Sequence, residues 1–288
     1  MNEGKMKTPV LSQVWKKGLE KSFQKVKRYS AAALSFKDEE DLHQARVNNR
    51  RLISFLKLME RSPEQEKLLK LLKKAHKLFG GVRDRDVLVE AFKKKRKAAE
   101  GKKQRKLLQS FIQIQKQERK RERAKLKKKL PRLIAGKLDQ RWKAYMDSVI
   151  AVEMHEEQLL AYVNRLEEQF DHRRVSFEQL KQGEGMEHPE TLKALHRVRL
   201  LVKELRYILK HADIVKSGEW SKKRQYYENL QEPLGEINDC RVWLERWKEV
   251  KPKELGAESK DYKRLISQLN EELLHKIGHL QMTKPLIN

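Results

Sequence analysis

Leu42-His43-Gln44-Ala45-Arg46-Val47-Asn48-Asn49-Arg50-Arg51-Leu52 returns, in outline, as Leu195-His196-Arg197-Val198-Arg199-Leu200-Leu201-Val202-Lys203-Glu204-Leu205. Each copy is followed, about forty residues on, by a glycine-containing turn signal and an acid: Phe79-Gly80-Gly81-Val82-Arg83-Asp84 and Leu234-Gly235-Glu236-Ile237-Asn238-Asp239. The offset is 153 residues at the histidine and 155 at the aspartate, so spacing repeats along with residue type. In the second copy Leu195, Val198, Val202, Leu205 and Leu209 follow the 3-4 spacing of one helix face. His196, Arg199, Lys203, Arg206 and Lys210 keep the same spacing one residue later, about 100° around the helix, so a cationic stripe runs beside the apolar one. The first copy places Leu42, Ala45, Leu52, Leu56 and Met59 on its apolar side and His43, Arg46, Arg50 and Lys57 on its cationic side. Ile53 interrupts that stripe and Arg51 lies further round.

Cations at such spacings sit about 5–10 Å apart along the axis and repel one another. A chain of phosphates would neutralise them: arginine offers flat paired donors to phosphate oxygens, and lysine a point charge. The competing reading is a solvated face with interhelical glutamate partners. Both histidines border an apolar stripe, so a packed structural role stands beside donation to a phosphate oxygen. Nearby cations disfavour their protonation and a bound polyanion favours it.

Working outward, eight helical stretches are expected, four per copy: about 11–35, 39–60, 64–79 and 84–129, then 138–171, 190–212, 218–233 and 239–280, the last broken near Lys251-Pro252. Ser62-Pro63 opens a helix. Gly80-Gly81 should end one, with Asp84 and Asn238-Asp239 as caps of the next, and Asp84 is also placed to orient a cation such as Arg83. Pro131 and Gly136 mark the seam between copies, and 183–189 reads as a loop. The expected fold is all-α, two four-helix bundles related by internal duplication, in one domain with repeats over about 10–130 and 138–280. Residues 93–129 hold 18 Lys and Arg against three Glu, with Leu107, Leu108, Phe111, Ile112 and Ile114 clustered in the middle. That stretch reads as a long helix reaching beyond the bundle, either a solvated, fraying segment or an anion-binding arm.

Composition agrees. The chain of 288 residues has 67 Lys and Arg against 41 Asp and Glu, a net charge of +26, which directs attention to an anionic partner: nucleic acid, polyphosphate or an acidic membrane surface. One cysteine, Cys240, excludes an intrachain disulfide and fits a reducing compartment. No apolar run spans a membrane and the first residues hold no signal-peptide core, so a cytoplasmic location is expected. His275 and His279 are spaced as a metal pair but lack an evident third ligand.

These residues resemble the CHAD domain, the conserved-histidine α-helical family. The resemblance rests on Leu42-His43-x-x-Arg46-Val47-x-x-Arg50-Arg51-Leu52, its echo from Leu195 to Tyr207, Gly81-Val82-Arg83-Asp84-x-Asp86-Val87-Leu88, and Leu234-Gly235-Glu236-x-Asn238-Asp239. It covers about residues 10–280. It implies two four-helix bundles about a pseudo-two-fold axis, with a basic surface or cavity, and binding of inorganic polyphosphate, often at polyphosphate granules, without catalysis or cofactor. The family's histidines correspond to His43 and His196, and its basic residues to Arg46, Arg50, Arg51, Arg199, Lys203 and Arg206. Ile53 and Glu204 stand where the family often has cations. The first face should then lean on Lys57, Lys73, Lys77 and the 93–129 stretch, with Arg83 and Lys210 completing the candidate set. The alternative is an RNA-binding protein, although the basic stripes carry no aromatic platform. An enzyme is the third class, disfavoured because the Glu-x-Glu-x-Lys of fused triphosphatase relatives and the Gly-rich phosphate loop are both missing.

Overall fold

The computed structural model describes residues 8–59, 61–149, 156–215, 220–256 and 258–282. Nine α-helices and one 3-10 turn occur among them, and no strand: α1 (Thr8–Ala32), α2 (Glu39–Leu58), α3 (Pro63–Ala98), α4 (Lys102–Ile134), α5 (Lys137–Val149), α6 (Glu156–Gly183), α7 (Pro189–Val215), α8 (Ser221–Lys248), the turn Pro252–Leu255, and α9 (Ser259–Gly278). The all-α expectation holds. The chain forms two compact units. Unit 1 is Met1–Phe92 with Ile112–Leu159, and unit 2 is Lys93–Phe111 with Leu160–Asn288. The end of α3 from Lys93 and the first third of α4, through Phe111, therefore belong to unit 2.

Unit 1 closes around aromatic and aliphatic stripes. Phe23 of α1 stacks on Trp142 of α5 at 4.1 Å, and the indole N–H donates to Glu20 Oε2 at 2.9 Å. Leu42, Ala45, Leu52 and Leu56 of α2 are all buried, as their spacing predicts, and each large aliphatic contributes about 1.5–3 kcal/mol when fully buried. Asp38 caps α2, its carboxylate accepting from Glu40 N at 2.8 Å, and three acids fill the first turn where the helix dipole favours them. Ser62 Oγ accepts from Gln65 N at 3.1 Å, with Pro63 at the first helical position, as read from the sequence. In unit 2 the whole predicted stripe of α7 is buried, from Leu195 to Leu209. Phe111 packs on Trp247 at 4.5 Å, and Phe170 meets Tyr227 edge-on at 5.4 Å.

Four expectations need correction. Gly80-Gly81 does not end a helix, because α3 runs unbroken from Pro63 to Ala98. A Cβ on Gly80 would make only ordinary contact, 3.7 Å from the Arg46 guanidinium, and one on Gly81 would meet the tip of the flexible Glu122 side chain of α4, which can swing aside. Asp84 and Asp239 are consequently mid-helix residues and not caps, since α8 likewise continues through 234–239 to Lys248. The 93–129 stretch is not one protruding helix. Residues 93–98 finish α3 and 102–129 belong to α4, whose Leu107, Leu108, Phe111, Ile112, Leu126 and Leu130 are buried along most of its length. The helix expected over 138–171 is two, α5 and α6, with 150–155 outside the described residues. Pro131 lies within the last turn of α4, and Gly136, at φ 73°, makes the turn into α5, a conformation glycine adopts without strain. The loop expected at 183–189 lies between α6 and α7, and the break near Pro252 separates α8 from α9.

Candidate functional site

Each unit sets one histidine, in the first third of a helix, against the middle of the next helix. In unit 1, His43, Arg46 and Arg50 project from α2 toward the edge of α3 that carries His76, Gly80, Arg83 and Asp84. Arg46 reaches Asp84 at 3.5 Å, and Arg50 donates to His76 Nε2 at 2.9 Å. Asp84 therefore faces Arg46 and not the sequence-adjacent Arg83. Burial lowers the pKa of His43 below the ordinary histidine value, Arg83, Arg46 and Arg51 lower it further, and Glu40 opposes them.

Unit 2 repeats the arrangement with different partners. His196 Nδ1 donates to Asn238 Oδ1 at 3.3 Å, an oxygen that can only accept, so Nε2 is the nitrogen left to meet a ligand. Burial again lowers the histidine pKa, with Arg241, Arg199 and Lys203 adding to it and the Asn238 hydrogen bond opposing. Arg206 lies over the Tyr207 ring at 4.5 Å. Arg241 pairs with Glu245 one turn on.

The structure thus groups His43, Arg46, Arg51 and Arg83 in one unit and His196, Arg199 and Lys203 in the other. Lys57, Lys73, Lys77 and Lys210 are exposed on the same helices. Arg51, Arg83 and Arg206 are half-buried, and no carboxylate lies within ion-pair distance of them among the described residues. Sequence reading missed His76, Asn238 and Arg241 as members of these faces. The 155-residue offset contained the signal, since it sets Asn238 opposite Arg83 and Arg241 opposite Asp86.

Asp86 explains why the faces differ. It is fully buried, and Arg119 and Arg123 of α4 reach it at 3.1 and 3.4 Å while also approaching Glu39. Burial and the Glu39 carboxylate raise the Asp86 pKa, against the pull of the two arginines. That cluster fastens α4 to α3 and to the start of α2.

The CHAD domain family model matches residues 17–248, a span that contains both histidine helices and both following helices. The chain belongs to the CHAD domain family. A solved CHAD domain, from the plant Ricinus communis, shares the fold with a TM-score of 0.64 at 17% identity, over 95% of this chain and 93% of that one. No curated protein matches the sequence. The family match ends at the last residue of α8, so α9 lies beyond it.

Outside these faces, His275 and His279 of α9 have ring centroids 4.2 Å apart, and the described residues hold no group of three His, Cys, Asp or Glu that could bind a metal ion. Trp247 is core, while Trp243 is half-buried beneath Lys95, whose ammonium sits 5.4 Å from the ring centre. No helix among the described residues is long and apolar enough to cross a membrane.

Proposed function

We propose that this CHAD domain protein binds inorganic polyphosphate through the two histidine-bearing faces and performs no chemistry on it. The observation that carries the reading is the pairing, in each unit, of a half-buried histidine with cations from two helices, where Arg51, Arg83 and Arg206 have no carboxylate in ion-pair distance among the described residues. Phosphate oxygens would supply counter-charge to Arg51 and Arg83 beside His43 and to Arg206 on the His196 helix, with Arg46, Arg50, Arg199 and Lys203 as further donors on the same faces. Lys57, Lys73, Lys77 and Lys210 would extend each face for a longer chain. Family membership supports the ligand class. The Cys240 thiol, buried and pushed up to about 12, is not a nucleophile at neutral pH, which agrees with binding alone.

Titration of fluorescent long-chain polyphosphate near physiological salt tests the reading. Binding should tighten with chain length, weaken steeply with salt, and release no phosphate. Chains of tens of units binding no better than triphosphate would refute it. On this reading a cytoplasmic location is expected, with polyphosphate granules as a candidate site of association, and imaging of a tagged chain checks both.

A second reading has its own observation. The outward side of α4 carries Lys116, Lys120, Lys127, Lys128, Lys129 and Arg132, none ion-paired among the described residues. Such a stripe suits an RNA backbone. RNA displacing polyphosphate at equal phosphate concentration would favour it.

A further inference from the structure

We propose that unit 2 carries a second ligand site, a cleft for a nucleoside polyphosphate between α7, α8 and α9. The cleft has a volume of about 810 Å³, within the roughly 300–1,000 Å³ usual for small-molecule sites. One wall is apolar: Leu192 of α7, Leu244 of α8, and Ile266 and Leu273 of α9. Ser267 and Asn270 lie on the α9 side of the same cleft; the Ser267 hydroxyl donates to Glu271 at 2.8 Å and keeps its oxygen as an acceptor, and the Asn270 amide offers hydrogen bonds beside that wall. Arg197, Lys248 and Lys263 stand around it, with no carboxylate in ion-pair distance among the described residues. At one end the cleft reaches His196 and Arg241, the latter shared with Glu245.

Those three linings select a ligand class. An inorganic phosphate chain has nothing to place against Leu244, Ile266 and Leu273. An acyl chain has no use for Asn270 and Ser267 or for the surrounding cations. A nucleoside triphosphate matches all three, with its base against the apolar wall, its polar edges and sugar near Asn270 and Ser267, and its phosphates toward Arg241 and His196. The inference rests on the preceding reading only at that phosphate end, and α9, which supplies the opposite wall, lies beyond the family match.

Calorimetric titration of the intact protein with ATP and with tripolyphosphate, without divalent cations, separates the two contributions. ATP should bind about five- to tenfold more tightly, although tripolyphosphate is the more highly charged, because only ATP has apolar surface to bury. Ile266→Glu and Asn270→Trp, with helicity checked by circular dichroism, should each abolish that preference while long-chain polyphosphate binding stays within about twofold. ATP binding no tighter than tripolyphosphate, or a preference that survives both variants, would overturn the cleft. Loss of long-chain binding in the unaltered protein would overturn the preceding reading instead, and an ATP preference removed by both variants would still support the cleft.

Discussion

On α2, Arg46 looks at Asp84 and Arg50 at His76; on α7, His196 looks at Asn238 and Arg241. The two faces share a helix pair and a histidine position, yet the second helix contributes opposite things. At the 155-residue offset, unit 1 has a buried acid, Asp86, committed to Arg119 and Arg123, where unit 2 has Arg241 beside the histidine. One substitution replaces a structural anchor with a cation beside the histidine. The lesson is that a repeated pattern fixes where side chains stand on helices, while the identity of one or two of them decides whether charge is spent on the fold or left for a partner.

The comparison is broken most decisively by charge reversal. Arg199→Glu/Lys203→Glu should weaken long-chain polyphosphate binding about a hundredfold, and Arg46→Glu/Arg50→Glu only about tenfold, because Ile53 leaves the first face one cation short. Equal losses in a fluorescence titration would mean the faces contribute alike. Stability should show the reverse asymmetry. Asp86→Ala should cost about 1–3 kcal/mol in urea unfolding and Arg241→Ala less than about 0.5–1 kcal/mol. Asp86→Asn, which keeps an acceptor for both arginines and removes a buried charge, should cost less than Asp86→Ala.

The histidines give a pH test. Both are held below the ordinary value of 6.5 in the free protein, so the folded chain takes up fewer protons than the unfolded one near that pH. Their contribution to ligand-free stability is therefore present above the ordinary histidine pKa and is lost as pH falls from there through the lower folded values. Polyphosphate bound beside them would raise both pKa values, so on the proposed reading binding takes up protons and should strengthen about three- to tenfold from pH 8 to pH 6. In His43→Gln/His196→Gln the dependence should flatten, and an unchanged profile would remove the histidines from the site. The smallest effect sharpens the contrast: Ile53→Arg, which supplies the counterpart of Arg206, should improve binding about two- to fivefold by restoring one cation to the weaker face.

Periodicity made α2 and α7 legible because apolar and cationic stripes a hundred degrees apart leave little choice of structure. Caps and punctuation read well where they act locally, as at Ser62-Pro63 and Pro252. Gly80-Gly81 misled because a glycine pair reads as a turn, whereas α3 runs straight through it with Phe79 and Val82 buried on either side. The basic 93–129 stretch misled for a related reason: charge density hid the widely spaced leucines that bury α4. The partners on the second helices were hidden as well. Asn238 resembled a helix cap, and Arg241 entered view only once α8 ran straight past it.

Unit 2 takes its first piece, Lys93–Phe111, from the middle of a chain whose remaining share begins at Leu160. During synthesis that piece leaves the ribosome early and has no finished core to enter, since Phe111 rests on Trp247 and Lys95 on Glu272, both made near the end. Cutting the gene at its apparent seam near Gly136 would therefore not yield two self-sufficient halves. The second would lack its opening segment, and the first would carry an orphaned one, apolar on one side and densely cationic on the other, a natural client for chaperones until translation is complete.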